Sequence, residues 1–170
     1  MTYTIKIVDP VAGCGTGTIS REVWTNIKGN QLSGFSFGFR PSIQESLNMF
    51  EGPTNSGLNY AARIKGYVCP PETGDYTFWI ASNDHSELWL STDDDPRNKV
   101  MIAYVTGATS PRQWDKFSSQ KSVPVRLEVG KRYYVEARHK QGTGTDNLAV
   151  GWIDHFEMHL KQEAVCNFVV

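Results

Sequence analysis

Oxygen-bearing side chains crowd the stretch "WIASNDHSELWLSTDDDPRNK", residues 79 to 99. Asn83-Asp84 follows a strand-like run, and Asp93-Asp94-Asp95 comes within a dozen residues of it. Carboxylates this close repel one another unless a cation or water separates them. The residue types therefore allow a hard-cation site, a catalytic acid pair, or two polar turns. Calcium takes about 6–8 oxygen ligands from carboxylates, amides, backbone carbonyls and water. Asn83-Asp84 offers two side-chain oxygens at a strand end. The distant "QGTGTDN", residues 141 to 147, adds a glycine loop whose carbonyls can turn inward, together with Asp146. An EF-hand does not apply, because 83 to 95 lacks the glycine at the sixth loop position and the closing Glu. On the residues alone, a plain turn remains the simpler reading of Asn83-Asp84.

Other chemistries find less support. Asp84, Glu87, Glu136 and Asp146 could supply the two acids of glycoside hydrolysis, but nothing in the chain fixes their separation. Asp84-His85-Ser86 cannot form a triad by itself, since neighbours on a strand point to opposite faces. No Gly-x-Ser-x-Gly elbow occurs. The four histidines show no metal-binding spacing; His155 and His159 are four apart, but in a strand-like tail. "GCGTG" at 13 to 17 lacks the Lys-Ser/Thr and the following helix of a phosphate loop. Asp93 to Asp95 reads as a hairpin turn whose oxygens bond nearby N–H groups. Enzymatic activity is not expected.

The elements that must position these groups are strands. "YTIKIV" (3 to 8) alternates polar and apolar residues. "DYTFWIA" (75 to 81) places Tyr76, Phe78 and Ile80 on one face. "KRYYVEARHK" (131 to 140) does the same with Tyr133, Val135 and Ala137, and "NLAVGWID" (147 to 154) with Leu148, Val150 and Trp152. Turn signals at 70 to 75, 94 to 98, 128 to 132 and 141 to 147 separate the runs. Short, β-branched and aromatic strands with such punctuation predict an all-β fold, an antiparallel β-sandwich or barrel. "PSIQESLNMF" (41 to 50) is the one helix candidate, with Pro at a first position and two turns of apolar spacing. Residues 28 to 60 otherwise read as a long surface excursion. Trp79, Trp89 and Trp152 are expected in the core, because Trp is highly buried on average. Trp114, in the turn-like "SPRQWDK", either stacks on a ligand or caps the sandwich edge.

With 170 residues and no repeat or linker, the chain is expected to form a single domain over 1 to 170. Seventeen basic residues against eighteen acidic ones leave a net charge of -1. Nucleic acid and anionic membrane are therefore not expected as partners. No run approaches the ~20 apolar residues of a membrane span, and "MTYTIKIVDP" is a strand pattern rather than a secretory signal. Cys14, Cys69 and Cys166 form an odd set. Cys14 and Cys166 lie near opposite ends, and domain termini are often close, which makes theirs the first pairing to expect. Three ordinary thiols are the alternative.

"GYVCPPETGDYTFWIASNDHSELWL" followed by "VGKRYYVEARHKQGTGTDNLAVGW" resembles the protective-antigen lectin-like domain, the PA-fourteen domain. That family takes its name from the anthrax toxin component and occurs in flocculins, bacterial adhesins, fibrocystin-like proteins and glycan-processing enzymes. The resemblance runs from about Arg21 to about Asp154. It implies a β-sandwich with long surface loops and neighbouring terminal strands, which favours the Cys14–Cys166 pairing. In the sugar-binding branch, two consecutive aspartates joined by a cis peptide hold a calcium ion that takes two vicinal sugar hydroxyls. Asn83-Asp84 matches that pair with one carboxylate replaced by an amide, so weaker calcium affinity is implied. Gln141, Gly142 and Thr143 match the second calcium loop as carbonyl donors, and Asp146 would add a side-chain oxygen. The implied metal set is Asn83, Asp84, Gln141, Gly142, Thr143 and Asp146, with Asp84, His85, Trp114, Gln141, Thr143 and Asp146 toward the sugar. The resemblance thus implies a calcium-dependent lectin or adhesin module, extracellular or on a cell surface, with glycans as partners. Weak single sites favour oligomerisation. A structural or protein-interaction module with a degenerate metal site is the other reading.

Overall fold

The computed structural model describes residues 17–154, and within them the chain is built of antiparallel strands. A six-stranded sheet runs in the order β2-β1-β3-β8-β5-β6, and a three-stranded sheet in the order β7-β4-β9. The larger sheet holds β1 (Ile19–Trp24), β2 (Ile43–Leu47), β3 (Tyr60–Val68), β5 (His85–Ser91), β6 (Lys99–Val105) and β8 (Tyr133–Gln141). The smaller holds β4 (Gly74–Asn83), β7 (Val125–Leu127) and β9 (Asn147–Asp154). The two pack face to face as a β-sandwich, the fold that the alternation of the strands predicts.

The core follows that alternation. Tyr76, Phe78 and Ile80 of β4 and Leu148, Val150 and Trp152 of β9 meet Tyr133, Val135 and Ala137 of β8 in one buried cluster. Each is at most 5% exposed, so the period-2 pattern names the inner face residue by residue. Two expected core tryptophans lie elsewhere. Trp79 and Trp89 are half-buried, under Lys121 (5.5 Å) and Arg138 (4.8 Å) respectively. Both sit at the outward register of their strands, where a cation covers the ring instead of the core.

The helix expected at 41 to 50 is also corrected. Its middle is β2, paired with β1 from Ile19↔Leu47 to Val23↔Ile43. Two turns of apolar spacing stabilise a helix weakly, and the edge of a sheet wins where a partner strand is available. "YTIKIV", Cys14, Cys166, His155 and His159 lie outside the described residues. Cys69 is disulfide-bonded and 2% exposed. The expected pairing, which left Cys69 as the odd thiol, is therefore corrected. Among the described residues, no helix is long and apolar enough to cross a membrane.

Candidate functional site

At one end of the sandwich the apolar core gives way to polar groups. β4 ends at Asn83 and β5 begins at His85, with a cis peptide bond between Asn83 and Asp84. The turn between β8 and β9 lies beside it, because Asn83 pairs with Asn147 across the β4–β9 ladder. The Gly142 N–H donates to Asp84 Oδ2 at 2.9 Å, tying the two segments directly. A Cβ on Gly142 would stand 3.3 Å from that same oxygen and 3.3 Å from the Gly29 carbonyl, so glycine allows the close approach. The Asn83 amide donates to Thr145 Oγ1 at 3.2 Å. Asn83 and Asp84 thus join the 141 to 146 turn, as the sequence suggests.

Beneath this turn lies a buried polar layer. His139 is fully enclosed, and its Nε2–H donates to the Asn83 carbonyl at 2.8 Å. Burial pushes its pKa down to about 4, so the ring is neutral at pH 7. Asp146 is 2% exposed, and its carboxylate accepts from Ser56 N–H and Oγ–H and from Tyr60 O–H at 2.6 to 3.1 Å. Burial alone would raise the Asp146 pKa, but the Tyr60 and Ser56 hydrogen bonds outweigh it and hold the group below its ordinary value. Burial, aided by that carboxylate, pushes the Tyr60 phenol well above its own ordinary range.

The side-chain oxygen expected of Asp146 at a cation is thus engaged with Ser56 and Tyr60. Two expected backbone donors also have partners. The Gln141 carbonyl accepts from Lys140 Nζ at 2.8 Å, and the Gly142 carbonyl from Asn59 N–H at 2.7 Å. Gln141 offers its side chain instead: Nε2 donates to the Gly144 and Thr145 carbonyls at 3.3 Å, while the buried Oε1 has no partner. Thr143 is exposed on the turn. Among the described residues no group of three or more His, Cys, Asp or Glu side chains is placed to hold a metal ion. The donor set at this end is therefore one carboxylate, Asp84, with amide and carbonyl oxygens. That composition suits a hard cation such as calcium, and the orphaned Gln141 Oε1 is an oxygen that such an ion would satisfy. A single carboxylate makes a low-affinity set.

The sequence gives no warning of Lys140. It is 1% exposed, and its ammonium donates to the Ile27, Gly29 and Gln141 carbonyls at 2.6, 2.5 and 2.8 Å. Burial pulls its pKa down, and the nearby Asp84 charge opposes that shift. Lys140 faces the outer side of the large sheet, opposite His85 in the β5–β8 ladder. It roots the loop of residues 25 to 42 on that sheet. His85 is half-buried beside Asp84, with Nδ1 buried and unpartnered. Burial lowers its pKa as well, opposed by the Glu87 charge. Trp114 is half-buried on another loop, whose Thr109 reaches Ser82 O (2.8 Å) and whose Ala108 bridges Asn83. That loop reaches Asn83 along the edge of β4 in the small sheet.

Comparisons with known proteins agree with the fold. The family model described as "PA14 domain" matches residues 45–163. The chain is 46% identical over 99 residues to the mouse N-acetyl-beta-glucosaminyl-glycoprotein 4-beta-N-acetylgalactosaminyltransferase 1, covering 55% of this chain and 10% of that protein. It is 30% identical over 138 residues to dog fibrocystin, covering 76% of this chain and 3% of that protein. The chain therefore spans a tenth or less of these relatives. Among solved structures, the PA14 sugar-binding domain from an RTX adhesin superposes with a TM-score of 0.61 at 11% identity, covering 87% of this chain and 94% of that one. The epithelial adhesin 9 A domain of Candida glabrata, in complex with Galβ1-4GlcNAc, gives 0.58 at 11% identity, with 81% of each chain covered. With the family model spanning well over half of the sequence, the chain belongs to the PA14 domain family.

Proposed function

We propose that this chain is a non-catalytic carbohydrate-binding module that captures vicinal sugar hydroxyls through a weakly held calcium ion. The observation that carries this reading is the pairing of Asp84 with the 141 to 146 turn, where Gly142 N–H fixes one carboxylate oxygen and Gln141 Oε1 is buried without a partner. Asn83, Asp84, Gln141 and Thr143 supply oxygens to the ion. Asp146 and His139 act from behind, bracing the turn and the Asn83 carbonyl. Calcium, when bound, supplies an electrophilic centre for two adjacent hydroxyls. One carboxylate per site places affinity in the ~10⁻⁴–10⁻³ M range of extracellular calcium modules. The disulfide at Cys69 suits an extracellular or cell-surface setting.

Two of the four candidate acids are engaged as structural acceptors, which disfavours catalysis. Glu136 is 1% exposed and bound by Tyr134 O–H and Arg138 Nε–H, while Asp146 is engaged as above. A glycan array with calcium and with chelator, on wild type and Asp84→Ala, tests the reading. Calcium-dependent signals that vanish in the variant are expected; equal signals in all four arms reject it. Lys140 favours a second reading, a structural or protein-interaction module, because its ammonium already places a cation beside Asp84. Calorimetric titration that detects no heat at millimolar calcium would decide for that alternative.

A further inference from the structure

We propose that the cavity under the loop of residues 25 to 42 is a second saccharide subsite, which takes an uncharged ring of a glycan independently of any cation. This rests on the reading that the ligand is a glycan. The cavity measures about 240 Å³ and lies between Leu32, Phe35 and Phe37 of the loop and His85, Glu87 and Arg138 of the sheet. That is below the ~300–1,000 Å³ of pockets for drug-sized ligands, and suits a single sugar ring.

Its walls carry the chemistry of sugar recognition. Phe35 and Phe37 pack edge to face at 4.9 Å, and Phe37 and Trp24 at 5.2 Å, so the aromatic wall is rigid. Aromatic faces take the apolar C–H side of a pyranose, and polar groups opposite take its hydroxyls. Glu87 is such a group: Oε2 accepts from Trp89 Nε1–H at 2.9 Å, leaving the other oxygen for a hydroxyl. His85 is another, since its buried Nδ1 lacks any partner and a sugar hydroxyl satisfies either tautomer.

Charge selects against an anionic ring. Arg138 already faces two carboxylates, Glu136 Oε1 at 2.6 Å and Glu87 Oε2 at 3.7 Å, while lying over Phe37 and Trp89 at 5.3 and 4.8 Å. The guanidinium of the wall is therefore already engaged by carboxylates and not available to a carboxylate or sulfate of the ligand.

The cavity is also held open in advance. Lys140 fixes the root of the loop through the Ile27 and Gly29 carbonyls, and Ile27 N–H donates to Asn59 O at 2.7 Å. At the far end Trp24 Nε1–H donates to the Phe39 carbonyl at 3.0 Å, and Ser42 N–H to Val23 O at 2.8 Å. A preformed wall lowers the ordering cost of binding. Because His85 directly follows Asp84, the cavity and the turn adjoin, and one disaccharide can reach both.

The test is calorimetry on the intact chain with methyl glycosides of neutral hexoses and N-acetylhexosamines, with neutral disaccharides and with their sialylated forms, each with calcium and with chelator. Wild type, Phe37→Ala, Glu87→Gln and Asp84→Ala are compared, with folding checked by circular dichroism. Neutral disaccharides should bind about tenfold more tightly than monosaccharides, and Phe37→Ala and Glu87→Gln should each remove about five- to tenfold of disaccharide affinity, the scale of one such contact. Both variants should leave the calcium-dependent monosaccharide signal in place. Addition of disaccharide should shift the His85 ring resonances, and sialylation should not tighten binding. Disaccharides no tighter than monosaccharides, or unaffected by both variants while Asp84→Ala abolishes binding, would overturn the subsite and leave the calcium reading standing. Loss in Phe37→Ala and Glu87→Gln but not in Asp84→Ala or chelator would support the subsite and remove the calcium. Absence of binding in every arm would overturn both.

Discussion

Two acidic clusters ten residues apart in sequence end in opposite states. In the denser one every carboxylate has a donor. Asp93 accepts from Asp95 N–H and the Asn98 amide, Asp95 from Arg97 backbone and guanidinium, and Asp94 from Arg132. Arg97 holds the Asp95 pKa down at about 2. Asp93 and Asp95 answer donors of their own turn, Asp94 answers the guanidinium of Arg132 from the neighbouring 128 to 132 turn, and the hairpin from β5 to β6 is what results. At Asn83-Asp84 the reverse holds: one oxygen of Asp84 is fixed, Gln141 Oε1 is orphaned and His85 Nδ1 is orphaned. Unsatisfied buried polarity, more than the number of carboxylates, separates a candidate binding site from a turn.

Four measurements break or sharpen that contrast. The largest effect is expected from Asp84→Ala, which should abolish the calcium response on a glycan array, while alanines at Asp93, Asp94 and Asp95 together should leave it intact. A triple variant that also loses the response would erase the distinction.

Lys140→Met comes next. It keeps the stem but leaves three carbonyls without their donor, a cost of about 1–3 kcal/mol in guanidinium unfolding. Disaccharide affinity should fall together with the loop. An unchanged denaturation midpoint would show that water replaces the ammonium without loss.

Asp146→Asn should cost about 1–2 kcal/mol, because Tyr60 and Ser56 keep an acceptor but lose its charge. Its pH dependence has a definite sign. The folded-state pKa of Asp146 lies below its unfolded value of about 3.9, so its stabilisation is complete above that value and disappears as pH falls through the depressed one. Wild type should therefore lose stability on acidification below about pH 4 more steeply than Asp146→Asn. Parallel acid limbs would reject the assignment. The smallest effect belongs to Asp95→Ala, whose half-buried carboxylate pairs with the solvent-exposed Arg97 and should move the unfolding midpoint little.

The strands, their inner faces and the approach of Asn83 to the 141 to 147 turn were legible because burial on one side of a sheet imposes a strict period of two. Tyr76, Phe78, Ile80, Leu148 and Val150 follow from that rule alone. Trp79 and Trp89 failed because an apolar ring covered by Lys121 or Arg138 satisfies its surface without entering the core. The Lys140 anchor was invisible, since the carbonyls of residues 27 and 29 carry no side-chain signature and lie more than a hundred positions away. "FSFGF", residues 35 to 39, did carry a signal: alternate phenylalanines in a Gly- and Ser-rich loop have to cover something. The backbone partners of Gln141 and Gly142 depend on chain crossings that no local pattern encodes.

The loop from 25 to 42 is fastened at its two ends, by Lys140 and Asn59 at the root and by Trp24 and Val23 at the return. The residues between those fastenings contribute nothing to the strand ladders. Such an interval can be exchanged as a cassette. Substitutions at 31 to 37 can retune which ring is accepted while the sandwich folds as before, so selectivity can drift quickly on a scaffold that changes slowly.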